Sequence, residues 1–188
     1  MSHIVTLNLK YTDVQALETA CQKRNISYQK HKHKCQIYSN NVDAIFSFKL
    51  PGWTFPVAVM EDGEVKYDNY NGHWGDQSKL DSFSQEYGKQ IGIQELAKEN
   101  MFLSSEEQTE DGTMILTFEE QQQGETMKKI IMKLKPNGET EIQVEGSQGA
   151  TCKELTKALE KALGKVITDN ETEEMFFTQE LTNIEANE

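Results

Sequence analysis

The chain has 188 residues, 36% of them hydrophobic, and a net charge of −12. Residues 169–188 hold seven acids and no Lys or Arg, which leaves 24 acids against 19 bases elsewhere. That balance argues against a basic face for nucleic acid, though not against a small local anion site; no apolar run approaches the ~20 residues that cross a bilayer, and the opening Met1-Ser2-His3-Ile4-Val5 has no secretory pattern. Cys21, Cys35 and Cys152 are odd in number and fit no disulfide framework, so reduced thiols in the cytoplasm are expected.

Val5, Leu7 and Leu9 alternate with Thr6, Asn8 and Lys10, a half-buried strand. Thr12 and Gln15 form a candidate capping box, and Val14, Leu17 and Cys21 place a helix over 13–24. Four or five short strands should follow. They are marked by Ile26 and Tyr28, by Cys35 and Ile37, by an alternating run from Val42 to Phe48, by Phe55, Val57 and Val59, and by Val65 and Tyr67. Asp62-Gly63 tolerates the positive φ of a tight hairpin between the last two.

After a loop over 71–76, Leu80, Phe83, Tyr87 and Ile91 mark one helix face, continued to Ala97. Gly88 and Gly92 weaken its middle, so one bent helix or two short ones are expected, ending near Asn100. Met101–Leu103 and the alternating Met114, Leu116 and Phe118 form a hairpin around Asp111-Gly112. The polar stretch 121–126 reads as a linker. Ile130, Met132 and Leu134 then turn through Asn137-Gly138 into Ile142 and Val144. Thr151 and Glu154 form a second candidate capping box before a helix lined by Leu155, Leu159 and Ala162, with Gly164 as its C′ residue.

The expected fold is therefore α+β, a mostly antiparallel sheet with two or three packed helices. A ferredoxin-like arrangement is one form it can take. The expected division is an α+β domain over 1–120, the linker over 121–126, a ββα module over 127–166 and an acidic tail over 167–188.

Four constellations can carry chemistry. On one strand His31, His33 and Cys35 would share a face and could offer zinc or copper two imidazoles and a thiolate, with His3 or His73 as a fourth ligand. The adjacent Lys30, Lys32 and Lys34 instead suit a charged edge strand. Cys152 follows Thr151 at a helix start, where the dipole favours a thiolate. The Gly146–Gly149 loop can present amides to an anion. Cys152 also lies on the stripe of Leu155 and Leu159, as a buried small hydrophobe would. Trp53, Tyr67, Tyr70, His73 and Trp74, with Asp68 and Asp76, form an aromatic-rich stretch suited either to an interface or to the core. In the tail, Met175, Phe176 and Phe177 can dock into a partner or fold back. No phosphate-loop, dinucleotide, zinc-protease, nucleophile-elbow or EF-hand pattern occurs.

Two resemblances follow from particular residues. Residues 1–119 resemble the plastid and cyanobacterial reading-frame-thirty-five family (domain of unknown function twelve-fifty-seven). The match lies in Met1-Ser2-His3, the run at 43–48, Gly52 to Tyr67, the loop Asn71–Asp76, the helix Tyr87–Ala97 and Asp111-Gly112-Thr113. Residues 127–177 resemble domain of unknown function twenty-nine ninety-seven. There the match lies in Lys135-Pro136-Asn137-Gly138, Val144-Glu145-Gly146, Gly149-Ala150-Thr151-Cys152 and Leu159 through Gly164. The resemblance implies no agreed activity and no cofactor. It implies a partner or adaptor role beside an AAA+ ATPase, and a plastid stroma as an alternative to the cytoplasm. The functional expectation is a non-enzymatic binding protein with a protein partner. Its alternatives are a small-ligand or anion binder at Gly146–Cys152, and a thiol enzyme or redox sensor at Cys152.

Overall fold

The computed structural model describes residues 3–32, 34–37, 40–120, 128–146 and 151–171. In chain order its elements begin with β1 (His3–Leu9), α1 (Val14–Lys23), β2 (Ser27–Lys30), β3 (Lys34–Ile37), β4 (Asn40–Asp43) and β5 (Phe46–Lys49). Next come β6 (Val57–Val59), β7 (Val65–Lys66), α2 (Gln77–Ala97), β8 (Met101–Gln108) and β9 (Met114–Glu120). The chain continues with β10 (Lys129–Leu134), β11 (Glu139–Glu145), α3 (Thr151–Leu163) and β12 (Gly164–Glu171). This is the expected α+β fold, with every described strand pair antiparallel.

The main sheet has six strands in the order β12-β1-β11-β10-β9-β8. Strand β1 lies between β11 and β12, pairing Val5 with Ile142 on one side and with Asp169 on the other. The connection β11-α3-β12 with β1 in its middle is the split β-α-β of ferredoxin-like sheets. The meander β10-β9-β8 extends it. Strand β9 pairs directly with β10, so the sheet joins strands from both expected modules. A second sheet, β2-β5-β6-β7, and the hairpin β3-β4 come from residues 27–66.

The helices fill the space between the two sheets. Ile130, Met132, Leu134, Ile142 and Val144 of the large sheet and Phe46, Phe48, Val57 and Val59 of the small one belong to one buried cluster with α1, α2 and α3. Phe48 stacks on Phe83 of α2 at 4.1 Å between ring centroids, and burying a side chain of this size contributes ~1.5–3 kcal/mol. The buried Gln85 donates from Nε2 to the carbonyls of Gly112 at 2.7 Å and Leu134 at 2.9 Å, tying α2 to two turns of the large sheet and satisfying its own amide. Tyr11 stacks on Tyr87, and their hydroxyls meet Ser84 and the Asp13 amide. Burial raises the pKa of Tyr87 to about 12 and that of Cys21 also to about 12.

Several expectations need correction. Asp13, not Thr12, caps α1, its Oδ1 accepting from the Ala16 amide at 2.9 Å. A carboxylate one residue closer to the helix reaches the same orphan amides. The run 42–48 is two strands, because the chain leaves β4 at Ala44-Ile45 and enters a different sheet at Phe46. Phe55 lies outside β6. Helix α2 is one 21-residue helix. Its glycines are buried where it sits closest to the large sheet: a Cβ on Gly88 would come 3.0 Å from Leu134 and one on Gly92 2.8 Å from Met132. Gly164 directly follows α3, where a C′ residue stands. It opens β12, so the first part of the expected tail is an edge strand paired with β1. No helix among the described residues is long and apolar enough to cross a membrane.

Candidate functional site

The aromatic-rich stretch becomes a surface loop on the connection from β7 to α2. Tyr70, Asn71 and Gly72 have φ of 45°, 52° and 90° in succession. A left-handed tyrosine costs ~1–2 kcal/mol and persists where its surroundings hold it there. Here the Tyr70 amide donates to Asp68 Oδ1 at 2.9 Å. The Gly72 and Trp74 amides donate to the Asn69 carbonyl at 3.0 and 2.9 Å, and the Thr54 amide donates to the Trp74 carbonyl at 2.7 Å. Asn69 in turn donates from Nδ2 to Gln77 Oε1 of α2 at 3.2 Å.

The pinned loop displays a cluster of rings. Tyr70 lies 4.8 Å from Trp74 and 5.3 Å from His73, and Phe55 meets Trp74 edge-on at 5.2 Å. Tyr70 is 57% exposed, His73 is exposed and Trp74 half-buried. Trp53 takes the other role open to a tryptophan here. It is 3% exposed, meets Tyr67 edge-on at 5.5 Å and donates from Nε1 to the Asp76 carbonyl at 3.1 Å. Gly75 is pressed against it: a Cβ there would lie 2.4 Å from Cδ2 of the indole. Asp76 accepts from the amide and hydroxyl of Ser78 as the cap of α2, which holds its carboxyl below the usual range. Both Asp68 and Asp76 thus serve the backbone of their own loop. An aromatic face of this kind can hold an apolar or cationic side chain by contact and cation–π attraction.

Beside the loop a cleft of about 540 Å³ opens between α2, β7 and the Asn137-Gly138 turn. Tyr67 Oη donates to Gln77 Oε1 at 3.2 Å, and Gln77 Nε2 donates to Asp81 Oδ1 at 3.0 Å, so one hydrogen-bonded chain runs from the loop into it. Tyr11 lines its floor, its pKa raised above the ordinary tyrosine value chiefly by burial.

The structure separates the other sequence candidates from this surface. Gly146, with φ of 73°, ends β11, and Thr151 and Cys152 begin α3. Gly149 between them lies outside the described residues, as do Phe176, Phe177 and His33. His31 and Cys35 do not share one strand, because β2 ends at Lys30 and β3 belongs to a different sheet. Both line a cleft of about 540 Å³ on the far side of the small sheet, where His31 Nε2 lies 2.7 Å from Ser47 Oγ. Among the described residues no three His, Cys, Asp or Glu side chains gather as a metal site.

Residues 130–176 match the family model described as "Protein of unknown function (DUF2997)". That segment takes in nearly all of β10, then β11, α3 and β12, and β11 and β12 are the strands on either side of β1. No curated protein and no solved structure matches the chain.

Two contributors escaped the reading of the sequence. The alternation of Phe55, Val57 and Val59 suggests a strand through Phe55, although Pro56 directly after it is a signal against a strand interior. Ser47, between Phe46 and Phe48, is by alternation the residue that faces away from the helices, and that alone placed it at the far cleft.

Proposed function

We propose that this chain is a non-enzymatic binding protein whose partner seats on the Phe55–Tyr70–His73–Trp74 surface. The observation that carries the reading is an exposed aromatic cluster on a loop held in a costly conformation by its own hydrogen bonds. Tyrosine and tryptophan dominate binding energy at protein interfaces, and a loop fixed beforehand loses little entropy on docking. The partner is a protein, and the AAA+ ATPase implied by the two resemblances is the first to try. The unpaired thiols of Cys21 and Cys35 suit the reducing cytoplasm, with a plastid stroma as the alternative.

The test is retention of partners from a host lysate by the full chain, by a Tyr70→Ala/Trp74→Ala variant and by Phe102→Ala. Phe102 is 48% exposed on β8 and serves as a control for general stickiness. A stoichiometric protein kept by the parent and by Phe102→Ala, but lost by the loop variant with its circular dichroism unchanged, supports the proposal. Equal retention by all three refutes it.

A further inference from the structure

The cleft on the far side of the small sheet runs against the charge of the rest of the molecule. The chain carries 31 acids against 19 bases, yet among the described residues the lining of this cleft holds Lys34, Lys49 and His31 and no Asp or Glu. It is formed where Ser47 and Ala58 turn away from the helices and the β3-β4 hairpin covers them with Cys35 and Ile37. Lys34 stands across the hairpin from Asp43. Neither Lys34 nor Lys49 is in an ion pair among the described residues, whereas Lys30 nearby is paired with Glu18 at 2.9 Å.

His31 is placed by its own amide, which donates to the Ile45 carbonyl at 2.9 Å. Its Nε2 lies 2.7 Å from Ser47 Oγ, and Ser47 is only 5% exposed. With the ring proton on Nε2, the imidazole donates to Ser47 Oγ and leaves the hydroxyl hydrogen for an oxygen in the cleft. Two ammonium groups at the rim and a buried hydroxyl at the base match a tetrahedral anion with several oxygens better than a planar carboxylate with two. Pro56 and Cys35 are the apolar residues of the lining on this face, beside the carbon part of such a ligand. A volume of about 540 Å³ suits a small molecule.

We infer that this cleft is a binding site for a small phosphate monoester, held by Lys34, Lys49 and the His31–Ser47 pair. It is distinct from the aromatic loop and from the start of α3, and does not depend on the proposed partner.

The experiment is a ¹H–¹⁵N NMR titration of the full chain with inorganic phosphate and with glycerol 3-phosphate. It is repeated on Lys34→Met/Lys49→Met and on the charge-matched control Lys66→Met/Lys157→Met. Saturable shifts confined to residues 27–36 and 47–49 are expected. Affinity should fall roughly tenfold or more in the first variant, since charge-assisted contacts are lost, and stay unchanged in the control. Ser47→Ala should weaken binding several-fold with the charge intact. Absence of saturation, or an equal loss in the control, overturns the proposal. So does binding to phosphatidic acid vesicles that needs Lys34 and Lys49 while soluble phosphates leave the spectrum unmoved, because the anion is then a lipid headgroup.

Discussion

A methyl group at position 75 has no room. The indole of Trp53 occupies that space, with the residue's backbone amide donating to the Leu50 carbonyl at 3.1 Å and the ring Nε1 to the Asp76 carbonyl at 3.1 Å. Gly75→Ala must therefore push the loop off the core, an overpacking cost of ~1–3 kcal/mol. Gly72 is the contrast. Nothing lies within 4 Å of its missing Cβ, but its φ is 90°, so Gly72→Ala carries only conformational strain of ~1 kcal/mol. Urea denaturation of both variants checks the order, Gly75→Ala being the less stable. The reverse order would mean that the indole yields and that the loop is not anchored through it. The two tryptophans also show where the sequence stops being readable. Trp53 and Trp74 sit in equally mixed surroundings along the chain, and only the glycine packed on one ring distinguishes core from surface.

At the scale of elements the decisive position is Gly164, where α3 becomes β12. Its φ is 153°, and a Cβ there would stand 2.0 Å from the Asn8 carbonyl oxygen and 3.0 Å from the Lys10 amide. These are backbone atoms of β1 and the residue after it, which cannot rotate aside as a side chain can. Gly164→Ala should therefore cost about 3 kcal/mol or more and detach β12 before anything else. Hydrogen exchange reads this directly. Amides of 165–168 lose protection in the variant while those of β10, between β9 and β11, keep theirs; unchanged protection of β12 would show that the clash is absorbed elsewhere. Turns were legible from the sequence because their chemistry is local: Gly63, Gly112 and Gly138 all have positive φ, at 77°, 83° and 83°, as their Asp-Gly and Asn-Gly pairs require. The alternation of Ile130, Met132 and Leu134 was legible for the same reason, since each strand carries its own period. Strand β12 was not, because Val166 and Ile167 are a short apolar pair in a polar stretch and their partner lies more than 150 residues earlier in the chain. The far cleft was hidden likewise, its donors drawn from two separate strands and a loop.

For the whole molecule the consequence lies in the position of β1. The sequence divides at its polar stretch near 121–126, and residues 130–176 match a family on their own. Yet among the described residues the strands that pair with β1 are β11 and β12, both from the far side of that division. A chain ending at residue 120 would leave β1 with no strand partner. It would also expose the face of α2 that holds Gly88 and Gly92 against Leu134 and Met132. A chain beginning at residue 121 would have a gap between β11 and β12 and no helix over Ile130 and Met132. Unpaired strand backbone and uncovered apolar surface each cost more than a small domain's margin of ~5–15 kcal/mol can absorb. Neither half is therefore expected to fold alone. Mixing the two should restore the native circular dichroism and one shared unfolding transition, as antiparallel partners rejoin on either side of β1. The intact chain should unfold in a single step, with probes in the Trp53 loop and in β10 giving the same midpoint. Cooperative unfolding of residues 1–120 by themselves would show instead that the small sheet and helices α1 and α2 suffice as a core, and that β1 is an arm added to it.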